Sequence, residues 1–220
     1  MKSFISNIAI TFLTLSASAL EPVIPDLKSA AEGDSWSRLS PLNITWKEEV
    51  AGKPALHIVA SKMMDSLLQV PRLEMMNGEI EFDLLGGNEP MKNFIGIAWH
   101  VAGANDYEAV YFRTGFFSDE AKSPQSVQYV SVPEWPWNKL RKQKPAQYEG
   151  KASPAPDPTR WFHVKIAIFG EDVTVWLDRA AEPTMKVKKL ANRQGKGVAL
   201  LSGPFLGGHF ANLKITPASE

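Results

Sequence analysis

The feature that most constrains this chain is an alternation of apolar and polar residues with a period of two, repeated along most of its length and broken by Gly, Pro, Asn and Asp. A strand sends successive side chains to opposite faces, so such alternation marks a sheet buried on one side, whereas a helix would repeat every 3.6 residues. The runs are Asn43 to Val50, Ala55 to Ala60, Gly78 to Leu85, Asn93 to Val101, Tyr107 to Thr114, Val127 to Val132, Trp161 to Phe169, Asp172 to Asp178, Met185 to Lys189, Gly197 to Ser202 and His209 to Thr216. Their Val, Ile, Phe, Tyr and Trp content and short breaks predict an all-β fold, a sandwich or barrel. In Trp161 to Phe169, the residues Phe162, Val164, Ile166 and Ile168 share one face and His163, Lys165 and Ala167 the other. Gly170-Glu171 then suits a type II′ hairpin to the next strand, and this pairing predicts Ile166 and Trp176 as core. Helix signals are few: Lys62 to Leu68 reads as a short helical turn and Asp157-Pro-Thr-Arg160 as a turn. Pro133 to Thr159, with six prolines, is the longest irregular stretch. Loops of that length in compact domains commonly carry function, and Trp135 and Trp137 suggest that this one is ordered against the sandwich.

The N-terminus reads as an export signal over residues 1–19, because Lys2 precedes the short apolar stretch Ile5 to Leu15 and Ala17-Ser18-Ala19 fits small-x-small cleavage. Spanning a bilayer takes about 20 apolar residues, more than this stretch supplies, so the chain is expected to be exported rather than membrane-spanning. The mature protein then begins at Leu20 and forms one sandwich domain over 20–220, its core at about 36–217. There is no cysteine, which removes disulfides, thiol chemistry and thiolate-bound metals. Basic and acidic side chains number 24 each, and loss of Lys2 leaves 23 against 24. That balance argues against nucleic acid and anionic membrane as partners.

The order of motifs then matters more than composition. Gly78-Glu-Ile-Glu-Phe-Asp83, Phe94-Ile-Gly-Ile-Ala98, Tyr107-Glu-Ala-Val-Tyr-Phe-Arg113, Trp161-Phe-His-Val-Lys165 with Val175-Trp-Leu-Asp178, Gly197-Val-Ala-Leu-Leu201 and Phe210-Ala-Asn-Leu-Lys-Ile215 follow one another along the chain. Together they resemble a concanavalin A-like lectin/glucanase jelly roll, and more narrowly the exported domains named for 3-keto-disaccharide hydrolases and laminin-G-like modules. The resemblance covers roughly residues 36–217. It implies a jelly-roll sandwich of two antiparallel sheets and carbohydrate as the ligand class, an expectation at the level of fold.

Three groups could carry chemistry. Glu79, Glu81 and Asp83 share one strand face, and glycosidases use paired carboxylates about 5 to 5.5 Å apart or wider. Residues two apart on a strand are separated by about 6.5 Å, so these three are the candidate catalytic acids. The family 16 glycoside hydrolases carry Glu-x-Asp-x-(x)-Glu; this strand reads Glu-x-Glu-x-Asp. The second group is His100, Tyr111 and Arg113, expected on a concave face with the small residues Gly96, Ala98 and Ala109, where planar and bidentate groups could grip a sugar. The third is the aromatic set Tyr129, Trp135, Trp137 and Tyr148, whose rings suit a pyranose face. His57, His100, His163 and His209 lack zinc spacing, and no cofactor is implied, although scattered loop Asp residues could take calcium without any ligand-dense loop to support it. These residues lead to a glycan-directed, exported sandwich that binds carbohydrate through the concave face and aromatic loop. The alternatives are a glycoside hydrolase acting through the Glu79 to Asp83 strand and a structural or protein-interaction module.

Overall fold

The computed structural model describes residues 21–33 and 35–219, and the expected signal segment lies outside the described residues. In chain order the strands are β1 (Ser37–Arg38), β2 (Leu42–Val50), β3 (Lys53–Ala60), β4 (Ser66–Gln69), β5 (Gly78–Leu85), β6 (Ile95–Gly103), β7 (Asp106–Phe112), β8 (Val127–Val132), β9 (Glu149–Gly150), β10 (Phe162–Phe169), β11 (Asp172–Leu177), β12 (Met185–Lys188), β13 (Gly197–Ser202) and β14 (Gly208–Pro217). Two short helices, α1 (Ser29–Glu32) and α2 (Trp137–Gln143), accompany them. The strands form two seven-stranded antiparallel sheets, β1-β4-β13-β6-β7-β8-β9 and β12-β11-β10-β5-β14-β3-β2.

The eleven alternating runs all appear as strands, with ends displaced by no more than two residues. Alternation succeeds because one face of each strand enters a shared interior: Ile80, Phe82 and Leu84 of β5 and Val164, Ile166 and Ile168 of β10 are buried there. The sheets meet through aromatic contacts such as Phe112 against Phe162, with ring centres 5.7 Å apart. Gly170 holds φ +56°, the positive value that the first position of the expected hairpin turn needs.

Three expectations are corrected. Lys62 to Leu68 is no helical turn: its second half enters β4, between β1 and β13, where Leu67 and Leu68 are both fully buried and hide the alternation. Trp176 is half-buried and lies outside the core, because it pairs with Lys165 on the outward face of the hairpin, with Lys165 Nζ 5.9 Å from its ring. The long stretch after Pro133 is only partly irregular. Pro136 precedes a run of good helix formers, Leu140 is buried, and Arg141 and Lys142 stand in the last turn, where the helix dipole favours cations.

Candidate functional site

Tyr111 and Arg113 come from β7 and the residue after it. Alternation points Val110 and Phe112 inward, so Tyr107, Ala109 and Tyr111 face out of the sandwich beside Gln128 and Val130 of β8 and Gly96 and Ala98 of β6. Glycine is needed at 96, since a Cβ there would lie 2.1 Å from the Val110 carbonyl oxygen. Beyond Phe112 the Arg113 amide donates to Ser126 O at 2.8 Å, which turns the guanidinium back over the face. From Nη2 it donates to the Tyr111 hydroxyl at 3.0 Å and to Gln128 Oε1 at 3.1 Å, and from Nη1 to the Gln125 carbonyl. Gln128 is itself fixed by donating to the carbonyls of Tyr129 and Tyr148, both at 2.9 Å. Arg113 is 4% exposed, and this burial disfavours its charge.

Tyr111, Arg113 and Gln125 floor a hollow of about 410 Å³ whose walls include Trp137 and Arg141 from α2, Asp65 from the loop before β4, and Phe94 before β6. Trp137 and Arg141 are four apart on one helix and therefore neighbours; the guanidinium lies 5.0 Å from the indole and is held by Glu149 at 2.6 Å. Asp65 is half-buried, and burial pushes its carboxyl up against the opposing pull of Arg113. Met63, Met91 and Phe205 on the rim are 76%, 59% and 51% exposed. An apolar rim around a few convergent polar groups is the usual form of a ligand site.

The expected partners of Tyr111 and Arg113 are elsewhere. The register breaks between Trp99 and Gly103, and His100 takes φ +50°. This bulge swings its imidazole inward, where Nδ1 lies 2.7 Å from Glu108 Oε2 and Nε2 lies 2.8 Å from the Met76 carbonyl. A carbonyl can only accept, so Nε2 carries hydrogen. Tyr129 also points inward, donating to the other Glu108 oxygen while accepting from the Leu190 amide at 3.2 Å. His100, Glu108 and Tyr129 are fully buried, and the Tyr148 ring lies tilted against Tyr129 with centres 5.5 Å apart. The expectation of His100 on the outer face with Tyr111 and Arg113 is thus corrected, because a bulge reverses the side that alternation assigns. Trp135 packs half-buried on the core beneath Lys139, whose Nζ is 4.4 Å from the ring, and does not line the hollow.

Glu79, Glu81 and Asp83 lie on the outward face of β5, in the other sheet. Each has a partner from a neighbouring strand, Glu79 with Lys165 at 2.8 Å, Glu81 with Lys214 at 2.9 Å and Asp83 with His163 at 2.8 Å, and Asp83 also pairs with Lys53 of β3, beyond β14, at 2.7 Å. The hydrogen bond from Lys214 holds the Glu81 carboxyl below its ordinary value. The acids and the Tyr111–Arg113 group therefore do not form one wall. Among the described residues no group of three or more His, Asp or Glu is placed to hold a metal ion, and no helix is long and apolar enough to cross a membrane.

Asp65, Gln125 and Arg141 are site residues that the sequence patterns did not single out. Only Arg141 left a signal, in the helical spacing of Trp137, Leu140 and Arg141 within a run that otherwise reads as a basic loop.

No protein-family model and no curated protein matches the chain. Solved structures do. A Bacillus subtilis protein of unknown function with a galectin-like fold superposes with a TM-score of 0.57 at 10% identity, covering 93% of this chain and 99% of that one. The exoplasmic/lumenal domain of VIP36, in its Ca2+/Man3GlcNAc-bound form, gives 0.56 at 8% identity, with 90% and 88% covered. The carbohydrate binding module CBM66 from Bacillus subtilis gives 0.52 at 12% identity, with 82% and 94% covered. The fold is that of a concanavalin A-like jelly-roll sandwich of two antiparallel sheets.

Proposed function

We propose that this protein is an exported carbohydrate-binding module that takes its sugar in the hollow between Trp137, Tyr111 and Arg113. The observation that carries this reading is the make-up of the hollow: aromatic rings stand beside guanidinium and amide groups, and Asp65 is the one carboxylate among the described residues lining it. Rings can cover the C–H face of a pyranose while fixed donors take its hydroxyls. Glycosidic cleavage by the usual route needs two carboxylates across the bond. Similarity to a carbohydrate binding module and to the VIP36 exoplasmic/lumenal domain in its Ca2+/Man3GlcNAc-bound form adds support at the level of fold. The narrower resemblance to 3-keto-disaccharide hydrolase and laminin-G-like domains also suggests a saccharide ligand. Residues 1–19 would direct export to the periplasm or exterior, and mass spectrometry of exported material should find Leu20 as its first residue.

A hydrolase reading would place its acids at Glu79, Glu81 and Asp83. Glu81 and Asp83 are both held ionised by their hydrogen-bonding partners, which favours a base or nucleophile and leaves the protonated acid unsupplied. Screening the purified protein on a glycan array, with reducing-sugar release measured in parallel, tests the proposal. Binding without release is expected; release would favour the hydrolase, and no binding to any glycan would put the interaction module first.

A further inference from the structure

The cation at the floor of the hollow feels the carboxylates of Glu149 and Asp65 only at a distance. Arg113 is 4% exposed, and its three hydrogen bonds go to a phenol, an amide oxygen and a backbone carbonyl, none of them charged. Among the described residues no carboxylate forms an ion pair with it. Arg141 nearby is satisfied by Glu149 through three contacts of 2.6 to 3.1 Å. A guanidinium has five N–H donors, so two on Arg113 remain uncommitted. A buried charge without a partner is costly, and an ion-paired one is far less so.

The charged side chains of the lining are biased towards cations: two guanidinium groups, Arg113 and Arg141, against one carboxylate. Asp65 is the only lining acid among the described residues, and burial raises its carboxyl pKa against the opposing pull of Arg113. A site built for a neutral sugar needs acceptors for its hydroxyl protons, commonly carboxylates and amide oxygens. Here Asp65 and the Gln125 side chain are the lining groups that can accept in this way, beside the two guanidinium groups of Arg113 and Arg141.

Resting on the carbohydrate-binding reading, we infer that the hollow selects an anionic saccharide, whose carboxylate or sulfate group completes the ion pair with Arg113 while its ring lies against Trp137 and Tyr111. The anion would replace the missing protein counter-ion, and the apolar rim would exclude water from the pair and so strengthen it.

The test is calorimetric titration of the full-length mature protein with three probes: digalacturonate, its carboxyl-reduced neutral disaccharide, and a sulfated galactose disaccharide. At least one anionic probe should bind about 10- to 100-fold more tightly than the neutral one, the range for a hydrogen bond to a charged group. The two anionic arms tell carboxylate from sulfate. Arg113→Met should abolish the preference. Because that substitution also removes hydrogen bonds to Tyr111 and Gln128 and can unfold the strand end, the bound site is mapped independently in the unmodified protein, where the anionic probe should shift the Trp137 indole NMR signal. Equal affinity for all three probes would overturn the anion preference and leave carbohydrate binding standing. Failure of a broad glycan screen as well would overturn both, and tight anionic binding that leaves Trp137 unperturbed would overturn the assignment to this hollow.

Discussion

His163 donates from Nδ1 to Asp83 Oδ1 at 2.8 Å, while Lys53 and Asn212 donate to Oδ2 at 2.7 and 2.6 Å. Three strands, β10, β3 and β14, are thereby tied to one carboxylate of β5. Burial alone would push Asp83 up, but the hydrogen bonds from His163, Lys53 and Asn212 outweigh it and hold the carboxyl well below its ordinary 3.8. A depressed folded value means the stabilisation is complete above the unfolded value and is lost as pH falls through the folded one. Asp83→Asn should therefore lower stability at neutral pH by about 1 to 3 kcal/mol. The gap from the unmodified protein should narrow once the pH drops below 3.8. Urea midpoints across an acid series check this, and a gap independent of pH would assign the role to shape instead of charge.

Inside the sandwich, Glu108 joins two side chains from different strands, His100 at 2.7 Å and Tyr129 on its other oxygen. Glu108→Gln keeps the volume but puts an amide nitrogen where a carboxylate oxygen faces His100 or Tyr129, and leaving a buried polar group unpaired costs about 1 to 3 kcal/mol. Denaturant unfolding of this variant should show a loss of that size. A neutral result would mean that the amide satisfies both partners as well as the carboxylate does.

Legibility in the sequence followed the physics of burial. β5, β8 and β13 are found at the residues the patterns mark, because their boundaries coincide with Gly, Pro or a polar break. β4 was hidden because both faces of its sheet are covered, so Ser66-Leu-Leu-Gln69 has no alternation to read. In the hollow, Tyr111 and Arg113 were legible as a face of β7, whereas His100 was misassigned because nothing in the sequence announces a bulge. Asp65 stands far from Tyr111 along the chain and reaches it only through the strand order β4-β13-β6-β7, a non-local pairing that no local pattern encodes.

His209 stands opposite His57 across β14 and β3, with ring centres 4.6 Å apart, and its Nδ1 has no protein partner among the described residues. Burial, then the neighbouring His57 and Lys47, lowers its pKa from 6.5 to about 4. The unfolded chain takes up this proton at 6.5 while the folded protein resists until about 4, so acidification across that window favours unfolding. His209→Gln should flatten the fall in Tm through the window and leave the alkaline side unchanged. A variant that still tracks the parent through it would shift the effect to other groups.

The final prediction separates the two loop tryptophans. Trp137 is 44% exposed, carries Arg141 at 5.0 Å and lines the hollow, so it is placed as a platform for a sugar ring and contributes little to the core. Trp135 packs half-buried on the core beneath Lys139 and is bridged to Ser131 through its backbone. Trp137→Ala should weaken binding of the best array ligand by about 1 kcal/mol or more, the scale of an aromatic contact, while changing stability by about 0.5 kcal/mol or less, as exposed sites do. Trp135→Ala should do the reverse, lowering the unfolding midpoint with little effect on affinity. Titration and denaturation of the same two preparations give both readings. If Trp135→Ala lost affinity while Trp137→Ala kept it, the ligand would lie across the other side of the loop, and the hollow over Tyr111 and Arg113 would not be the sugar site.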